Sequence, residues 1–370
     1  MFSRKVLHLY SSWTAGGAEK VMLDLAAGLE RKQIKNVIAA PGDSYLYHSA
    51  TNLGLTAYPL VIKGSFDPIG FWKLWRIVQK ENIDILHAHQ GKVFWPCIFI
   101  KWFKPRVKVV FHRHAQLAHA MYSRNHYRWA DAIVAISEAV AKGLREREKV
   151  PAQKLTVIYN GTDFSRFNSA VSGAKIRQKY GLEQAFVIGT VAAMNKPKGK
   201  GQQYLIEAVK VLAGRFPDLH CLIVGKGPLL PGLEALVKKL GVTDRVHFTG
   251  HQENVEEFIA AMDVFCLLSW DTEGFGQVVV EAQAMGKPVV GTTVGGIPET
   301  LNDGVTGFLI PPENTRELVA VLEKLAGDRT ACAKMGSEGM KFVHEHFSKE
   351  MMLDTIAQLY RQLYTDTTHS

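Results

Sequence analysis

Apolar runs of strand length alternate with helically spaced apolar residues along the first half of the chain. Strands are predicted at 4–10, 36–40, 83–88, 107–111, 131–136 and 154–158, and helices at 18–29, 68–80, 91–103, 120–129 and 138–147. Strands that alternate with helices form a parallel sheet whose faces the helices cover. The pattern therefore predicts an α/β domain in this half of the chain.

Turn-forming residues at 160–167 and a polar, irregular stretch at 168–185 interrupt this alternation. A second series follows, with strands at 186–192, 219–224, 245–249, 263–268 and 288–292 and helices at 201–214, 229–240, 253–261 and 314–326. A last helical pattern covers 348–363. We therefore predict α/β domains at 1–167 and 168–347, and a C-terminal helix within 348–370 that packs back across the domains.

The composition is that of an ordinary globular protein, with 47% hydrophobic and 21% charged residues among 370. The four cysteines are too scattered for a disulfide framework and lack the spacing of a zinc site. The apolar run near the N-terminus is too short for a signal peptide or a membrane span. We therefore expect a cytoplasmic chain.

The basic charge is confined to the first half of the sequence. Residues 1–165 contain 23 Lys and Arg against 12 Asp and Glu, a net +11, and the remaining residues give −2 of the total +9. This asymmetry favours an anionic partner: a phospholipid surface, a phosphorylated acceptor or, less readily, nucleic acid. Ordinary solvated surface explains it equally well, and we expect no nucleic-acid partner because no recognised module accompanies the charge.

The segment 270–290 carries two glutamates, Glu273 and Glu281, separated by a Gly-Phe-Gly turn. It lies between two predicted strands and is predicted to be a loop that enters a helix, despite the β-branched residues 278–280, with Gly286 ending the helix. Glu273 would then lie at the carboxyl edge of the sheet, where Gly274 and Gly276 let backbone amides approach an anion. The competing interpretation is an acidic helix start that only complements the helix dipole.

Two further loops combine glycine with positive charge or free amides. Gly16 and Gly17 separate the first strand from the first helix and could face a phosphate, although a simple tight turn fits equally well. Lys196, Lys198 and Lys200 lie among glycines after the 186–192 strand and could clamp a diphosphate, or form a solvated basic turn. The sequence lacks the GxxxxGK[ST] pattern, which excludes a P-loop NTPase.

The loop that begins at Gly225 superficially resembles a dinucleotide-binding fingerprint. Leu230 stands where the fingerprint requires glycine or alanine, Pro228 intrudes, and the following strand does not end in an acid. A hydride-transfer enzyme is therefore not expected.

Four histidines end two neighbouring strands of the first domain, His87 and His89 on one and His112 and His114 on the other. An imidazole at the carboxyl edge could donate a hydrogen bond or move a proton, and His112 is the candidate of the four. The i, i+2 spacing has no carboxylate partner and no HExxH frame, so we expect no metal ion. A structural role is the alternative for each ring.

The stretch 93–108 combines tryptophan and phenylalanine with lysine and arginine, and Trp72, Trp75 and Arg76 are candidate neighbours. It is too short and too basic to span a bilayer. It would suit an interfacial helix on a membrane, with ordinary core packing as the alternative.

Taken together, these motifs resemble glycosyltransferase family 4, the retaining enzymes of the GT-B fold, over nearly the whole chain. The residues that carry the resemblance, in the family's order and spacing, are Ala15–Glu19, Val157–Asp163 with Phe167, Lys200 with Gly201, Val224–Pro228, Val246–Gly250, Glu273–Gly276 with Glu281, and Gly295–Glu299. The resemblance implies two Rossmann-like parallel-sheet domains facing across a cleft. The N-terminal domain would bind the acceptor and the C-terminal domain the nucleotide-sugar.

The resemblance also implies roles in the C-terminal domain. Glu281 would hold the ribose of the donor, and Glu273 would contact its sugar near the reaction centre. Amides at Gly274, Phe275 and Gly276 would hold sugar hydroxyls or phosphate. Lys200 would neutralise the leaving diphosphate, where negative charge grows as the anomeric C–O bond breaks.

In the N-terminal domain, Gly16 and Gly17 would meet the donor phosphates and His112 the transferred sugar. Gly225 and Lys196 would complete the donor site. Transfer of a hexose with retention would proceed on one face, the leaving phosphate accepting the acceptor's proton, without a cofactor or metal. A UDP-sugar is favoured over a GDP-sugar as the donor.

The sequence departs from the family's pattern in one place. The family usually has Gly-Arg shortly before its Lys-Gly, whereas 192–195 read Ala-Ala-Met-Asn and extra residues precede Lys200. Lys196 or Lys198 is the candidate replacement, although a lysine lacks the bidentate fork of arginine.

The leading hypothesis is transfer to a membrane-associated glycan or glycolipid in bacterial lipopolysaccharide, capsule or exopolysaccharide synthesis, at the inner face of the plasma membrane. The alternatives are a glycosyltransferase with a soluble acceptor and a non-catalytic subunit that binds a sugar nucleotide.

Overall fold

The computed structural model describes residues 4–13, 16–115, 126–195 and 199–365, which form two compact units. The first unit contains the described residues up to Gly161 and those from Lys349 on, and the second is Thr162–Ser348. The division falls before the expected boundary at 167 because the N–H of Thr162 already donates to the carbonyl of Phe347, at 2.9 Å. Residue 162 is therefore tied to the end of the second unit.

The first unit is built around a seven-stranded sheet in which every paired strand is parallel. Its strand order is β3-β2-β1-β4-β5-β6-β7. The elements in chain order are β1 (Lys5–Leu9), α1 (Gly17–Arg31), β2 (Lys35–Ala40), α2 (Tyr45–Asn52), β3 (Thr56–Pro59), α3 (Pro68–Glu81), β4 (Ile85–Ala88), α4 (Phe94–Phe103), β5 (Lys108–Arg113), β6 (Ala132–Ala135), α5 (Glu138–Glu146) and β7 (Leu155–Val157). Short 3₁₀ turns cover Gly91–Val93, His126–Trp129 and Ala152–Lys154.

The central strands of this sheet are buried on both faces. In β1 the side chains of Val6, Leu7 and Leu9 are all fully buried, and β4 and β5 are buried along most of their lengths. Helices cover both faces of such a sheet, so continuous apolar runs replace the alternation of a half-exposed strand. The parallel α/β architecture that the pattern predicts is confirmed.

The second unit is built around a six-stranded parallel sheet of order β10-β9-β8-β11-β12-β13. Its elements are α6 (Ala174–Tyr180), β8 (Phe186–Val191), α7 (Gln202–Leu212), β9 (Leu219–Val224), α8 (Leu230–Leu240), β10 (Val246–Gly250), α9 (Val255–Ala261), β11 (Val264–Leu267), α10 (Gln277–Ala284), β12 (Val289–Thr292), β13 (Gly307–Ile310), α11 (Thr315–Gly327) and α12 (Arg329–His346), with a 3₁₀ turn at Ile297–Glu299.

The last helix, α13 (Lys349–Thr365), belongs to the first unit. Its apolar stripe, which includes Met352, Leu353 and Ile356, is buried in the same core as α1. Lys349 Nζ also donates to Asp24 Oδ1 at 2.8 Å. The amphipathic helix expected at 348–363 is confirmed, and the contacts described here tie it to α1.

Several elements carry too little pattern to be predicted from the sequence. The edge strand β3 is only partly buried along its length, and α6, in the stretch expected to be irregular, buries Ile176 alone. The helix expected at 120–129 falls largely outside the described residues, which show a 3₁₀ turn at its end. Among the described helices, none is long and apolar enough to cross a membrane.

Candidate functional site

The loop that contains Glu273 leads into α10 in the second unit. The helix forms despite three consecutive valines because Val279 and Val280 are fully buried, so packing outweighs their weaker helix propensity. Gly276 precedes the helix with φ +92°, and Gly286 follows it with φ +70°. Both angles lie in the left-handed region, where glycine is free of the steric cost that a Cβ would impose.

The structure brings Lys200 and Glu273 together, although they are far apart in the sequence. Lys200 Nζ lies 2.8 Å from Glu273 Oε2 and 3.3 Å from the carbonyl oxygen of Thr272. Ser269 Oγ donates to the same Glu273 oxygen at 3.1 Å. The predicted cation and the predicted sugar contact therefore lie at one point, where the loop after β11 meets the loop before α7.

Three glycines, Gly201, Gly295 and Gly296, allow this close approach of backbones. A Cβ on Gly295, whose φ is +56°, would lie 1.9 Å from the carbonyl oxygen of Glu273, and one on Gly296 would lie 2.5 Å from that of Gly274. The N–H of Gly296 donates to the Glu273 carbonyl at 3.0 Å. A Cβ on Gly201, with φ +78°, would meet the carbonyl oxygen of Leu268 at 2.1 Å. The backbone around Glu273 is therefore fixed by neighbours that only glycine can supply.

Gly225 has a packing role that its sequence motif did not reveal. Its φ is +141°, and a Cβ there would lie 2.1 Å from the carbonyl oxygen of Ala192. Gly227 similarly approaches Met194, whose N–H donates to the carbonyl of Lys226 at 3.1 Å. The loops after β8 and β9 thus pack against each other, and a donor-binding role for Gly225 stays a prediction.

Glu281 lies inside α10 and is only 6% exposed. Gln277, one turn earlier on the same face, donates from Nε2 to Thr162 Oγ1 at 2.8 Å, while its buried Oε1 has no hydrogen-bond partner in the described structure. Sequence reasoning did not select Gln277 as a site residue, although its i, i+4 relation to Glu281 was visible. A ligand hydroxyl could satisfy that oxygen.

The side chain of Phe275 belongs to the core of the second unit. Its ring is 2% exposed and packs edge-on against Phe347, with ring centroids 5.3 Å apart. A donor contact at this position is therefore one made by the backbone. Lys196 and Lys198, the predicted replacements for the missing arginine, lie outside the described residues.

Gly16 and Gly17 lie in the first unit, at the N-terminus of α1. Gly16 is extended at φ −155°, and a Cβ there would lie 3.1 Å from Glu19 Oε2, whereas a Cβ on Gly17 would meet nothing within 4 Å. The first amides of a helix lack intrahelical partners. The expected strand–glycine–helix arrangement is confirmed, and phosphate contact stays a prediction.

The four predicted histidines meet a fifth, His8, in the core of the first unit. His87 and His112 stack with centroids 5.2 Å apart and an interplanar angle of 8°, and His89 lies within 5.3 Å of both His112 and His114. His8 joins them from β1, where it is the register partner of His87. That position could have been identified from the sequence, since His8 also lies on a predicted strand.

All five imidazoles are held neutral. Burial lowers the pKa of His8 to about 4, partly offset by its hydrogen bond to Asn36, and burial together with Arg113 lowers that of His114 to about 3. Burial is also the main reason why the pKa values of the other three rings lie well below their ordinary range. These rings therefore act at neutral pH as hydrogen-bond partners or ligands, not as cations.

His112, the predicted sugar contact, is only 1% exposed. Neither of its buried ring nitrogens has a hydrogen-bond partner in the described structure. A contact with the transferred sugar therefore requires that this ring become accessible.

A group of exposed aromatic side chains, which we call the aromatic face, lies along α3 and α4. Phe66 is 79% and Phe103 71% exposed, and Trp72, Trp102 and Trp129 are each about half exposed. Partly buried aromatic rings lie between these exposed rings and contact them. The ring centroids of Trp102 and Trp129 are 5.6 Å apart. Three cations lie over rings of this group: Arg76, Lys104 and Arg128. The expected contact of the 93–108 stretch with Trp75 is confirmed, since the rings of Trp75 and Phe103 lie 6.1 Å apart, whereas neighbourhood with Trp72 and Arg76 stays a prediction.

Two all-parallel α/β units, with charged and glycine-rich loops after their strands, are the architecture of the GT-B glycosyltransferases. The chain belongs to glycosyltransferase family 4. The model of that family matches residues 15–166, and that of the glycosyl transferases group 1 matches residues 185–328.

Characterised relatives agree with this assignment. The chain is 30% identical over 304 residues to the N-acetyl-alpha-D-glucosaminyl L-malate synthase of Bacillus anthracis, covering 80% of this chain and 78% of that protein. It is 28% identical over 300 residues to the lipopolysaccharide core biosynthesis mannosyltransferase LpsB of Rhizobium meliloti, covering 78% of this chain and 82% of that protein.

Solved structures agree on the fold. The glycosyltransferase of Rickettsia africae superposes with a TM-score of 0.89 at 22% identity, over 100% of both chains. Anabaena HepE in complex with UDP and glucose gives a TM-score of 0.85 at 24% identity, over 97% of this chain and 100% of that one.

Proposed function

We propose that this glycosyltransferase transfers a hexose, with retention, from a nucleotide-sugar to a membrane-associated glycan or glycolipid in bacterial surface polysaccharide synthesis. The donor is a UDP-sugar in preference to a GDP-sugar. The protein works at the inner face of the plasma membrane, with no metal ion on the diphosphate.

The observation that carries the proposal is the contact between Lys200 and Glu273. In the reaction the bond between the anomeric carbon and the diphosphate oxygen breaks, and the acceptor oxygen bonds to the same face of that carbon. The acceptor's proton passes to the departing phosphate. The Lys200 ammonium stabilises the charge that grows on the diphosphate, in place of a metal ion. Glu273, 2.8 Å away, holds that ammonium in position and contacts the sugar.

The remaining donor contacts follow from the position of α10. Glu281, with Gln277 on the same helical face, binds the ribose hydroxyls. The amides of Gly274–Gly276 bind the sugar or phosphate at the N-terminus of the helix, where its dipole favours an anion. Lys196 and Gly225 complete this donor contact in the second unit.

From the first unit, Gly16 and Gly17 offer amides to the donor phosphates, and His112 contacts the transferred sugar. A neutral His112 contributes a hydrogen bond rather than a charge. Substituting it should therefore affect turnover without removing the diphosphate affinity that Lys200 supplies.

Named relatives support the donor and acceptor classes. HepE of Anabaena was solved with UDP-glucose, whereas a mannosyltransferase of Mycolicibacterium smegmatis, 34% identical over 198 residues, uses GDP-mannose. The latter acts on a phosphatidylinositol monomannoside, and LpsB takes part in lipopolysaccharide core synthesis. These two names favour a lipid-linked acceptor, whereas the L-malate synthase of Bacillus anthracis favours a soluble one. GDP-mannose is the donor to test against UDP-sugars.

The aromatic face supports a membrane-bound acceptor. Exposed tryptophan and phenylalanine side chains fit the boundary between lipid headgroups and acyl chains, and neighbouring lysine and arginine attract anionic headgroups. The excess of 11 positive charges over residues 1–165 has the sign that this attraction requires.

The transfer reaction is tested by incubating the purified protein with UDP-glucose, UDP-galactose, UDP-N-acetylglucosamine and GDP-mannose, alone and with lipid extracts as acceptors. Lys200→Met should lower kcat about 10²–10³-fold. Glu273→Gln should act mainly on kcat, and Glu281→Gln should raise the donor KM about tenfold through the lost charge-assisted hydrogen bond. A chelator should leave kcat unchanged.

The exposed ion pair of Lys341 and Glu338, also 2.8 Å long and in the same unit, is the matched control. Lys341→Met and Glu338→Gln should leave both parameters unchanged. No donor turnover with any sugar, or the same kinetics for Lys200→Met and Lys341→Met, would refute the proposed role of this site.

The membrane contact is tested by sedimentation with phosphatidylglycerol and phosphatidylcholine vesicles. Trp102→Ser with Phe103→Ser should weaken binding to the anionic vesicles about tenfold, and added salt should weaken it further. Tyr45→Ser, which removes a half-exposed aromatic outside this face, is the control. Absence of salt-sensitive binding would favour a soluble acceptor.

A further inference from the structure

Three of the five clustered histidines converge on one point in the first unit. His8 and His87 are directly paired residues of β1 and β4, and His89 follows two residues after His87. Side chains two residues apart on a strand share a face of the sheet. One ring nitrogen from each of the three lies within 4.8 Å of those of the other two.

The orientation of His8 is fixed by Asn36. His8 Nε2 lies 2.9 Å from Asn36 Oδ1, and Asn36 Nδ2 donates to the carbonyl of Ile34 at 2.5 Å. Since that carbonyl only accepts, the Asn36 oxygen faces His8 and must accept in turn. His8 therefore carries its proton on Nε2, and its Nδ1 presents a lone pair to the other two rings.

Each of the other two rings also has a hydrogen-bond partner on the side that faces away from the point of convergence. His87 Nδ1 lies 2.5 Å from the hydroxyl of Tyr360, on α13, and His89 Nδ1 lies 3.0 Å from His114 Nε2. The inner nitrogens are then His87 Nε2, which is buried with no hydrogen-bond partner in the described structure, and His89 Nε2, 3.1 Å from His8 Nδ1.

Three converging imidazoles, each with a hydrogen-bond partner on its outer side, have the composition that a metal site requires. A histidine that binds a metal through one nitrogen almost always donates a hydrogen bond from the other, which fixes its tautomer and orientation. Each of the three rings has such an outer partner: Asn36, Tyr360 and His114. Three neutral imidazoles suit Zn²⁺ and similar divalent transition metals, and they suit Mg²⁺ poorly because it prefers oxygen ligands.

We propose that His8, His87 and His89 bind a Zn²⁺ ion through Nδ1, Nε2 and Nε2, respectively. Binding satisfies the unpartnered His87 nitrogen and replaces the hydrogen bond between His89 and His8. His89 keeps its proton but carries it on Nδ1, where His114 Nε2 accepts it. His114 in turn moves its own proton from Nε2 to Nδ1, which has no hydrogen-bond partner in the described structure. The ion joins the two central strands, and none of its ligands is among the residues proposed for glycosyl transfer.

The test uses the full chain without a histidine tag, stripped with a chelator and titrated with Zn²⁺ by calorimetry, and with Co²⁺ as an absorbing substitute. We expect about one Zn²⁺ per chain. His87→Gln should abolish this binding. Tyr360→Phe keeps the ring and removes the outer partner of His87, so it should weaken binding about 10–100-fold.

His247→Gln is the control, because His247 and His220 form a hydrogen-bonded pair of 3.1 Å in the second unit. It should bind Zn²⁺ like the unmodified chain. The proposal is overturned if the unmodified chain binds no stoichiometric Zn²⁺, or if His87→Gln binds as well as the control does. If His87→Gln does not fold, Tyr360→Phe decides, and unchanged affinity there overturns the proposal.

Discussion

Replacing Gly295 with alanine should disturb the reaction centre without touching any charged group. The new methyl group would lie 1.9 Å from the carbonyl oxygen of Glu273, well inside van der Waals contact, and the residue has φ +56°. Either Gly295 or the backbone of Glu273 must therefore move. Because Glu273 Oε2 is the partner of Lys200 Nζ, that movement reaches the proposed diphosphate site.

The magnitude has two parts. A left-handed backbone costs a residue with a Cβ about 1–2 kcal/mol, and overpacking against fixed neighbours costs about 1–3 kcal/mol. The free energy of unfolding should therefore fall by about 2–5 kcal/mol. Displacing a catalytic contact by about 1 Å should lower kcat about 10²-fold.

Gly304→Ala separates the two parts. Gly304 is in the same unit with φ +74°, and a Cβ there would meet nothing within 4 Å. The free energy of unfolding of Gly304→Ala should therefore fall only by the cost of the left-handed backbone. Both variants also restrict the unfolded chain, and this stabilising effect of alanine is the same for the two. Urea unfolding and donor turnover of the two proteins provide the measurement. Equal loss of stability, with turnover intact in Gly295→Ala, would refute the reasoning.

Three further outcomes are expected. In the protein stripped of metal, lowering the pH from 7 to 5 should reduce the free energy of unfolding by about 2 kcal/mol through His8. The pKa of this ring, about 4, lies below its unfolded value of about 6.5, so this stability is complete above pH 6.5 and lost towards pH 4. Urea unfolding at both pH values checks this, and an equal decline in His8→Asn would contradict it. Burial raises the pKa of the Cys97 thiol and all four cysteines are buried, so a thiol reagent should label the native protein far more slowly than the urea-unfolded protein; equal rates would exclude this. Arg177→Met breaks the 2.8 Å ion pair with Asp263 and three hydrogen bonds to backbone carbonyls, so it should cost about 2–4 kcal/mol in urea unfolding, and an unchanged midpoint would argue against that role.

Apolar periodicity predicted the parallel sheets because their strands are buried on both faces. It failed where burial is partial, as in β3, and where small residues replace large ones. In α12, Gly336 and Gly339 look like helix breakers, yet a Cβ on Gly336 would lie 1.9 Å from the carbonyl oxygen of Gly286. These glycines let α12 pack directly on the backbone that ends α10, which local propensity does not reveal.

The positions of Glu273 and Lys200 on loops that follow strands were predictable from the sequence, and their roles stay predictions. Their contact was not predictable, because it depends on how two distant loops pack. The histidine cluster was predictable only in part. The position of His8 in it depends on the register of β1 with β4 and on the hydrogen bond to Asn36 on β2.

Because α13 belongs to the first unit, the core of that unit cannot be completed until the ribosome has synthesised the whole second unit. The buried residues of α13, among them Leu353 and Tyr360, complete a core whose remaining members precede Gly161, whereas the second unit is continuous in sequence. At about 5–20 residues per second, the ribosome takes roughly 10–40 s to synthesise the chain from 161 to 365. During that interval the part of α1 that α13 covers, at Gly28, stays exposed. A chaperone that shields it until α13 has been synthesised should therefore raise the yield of folded enzyme.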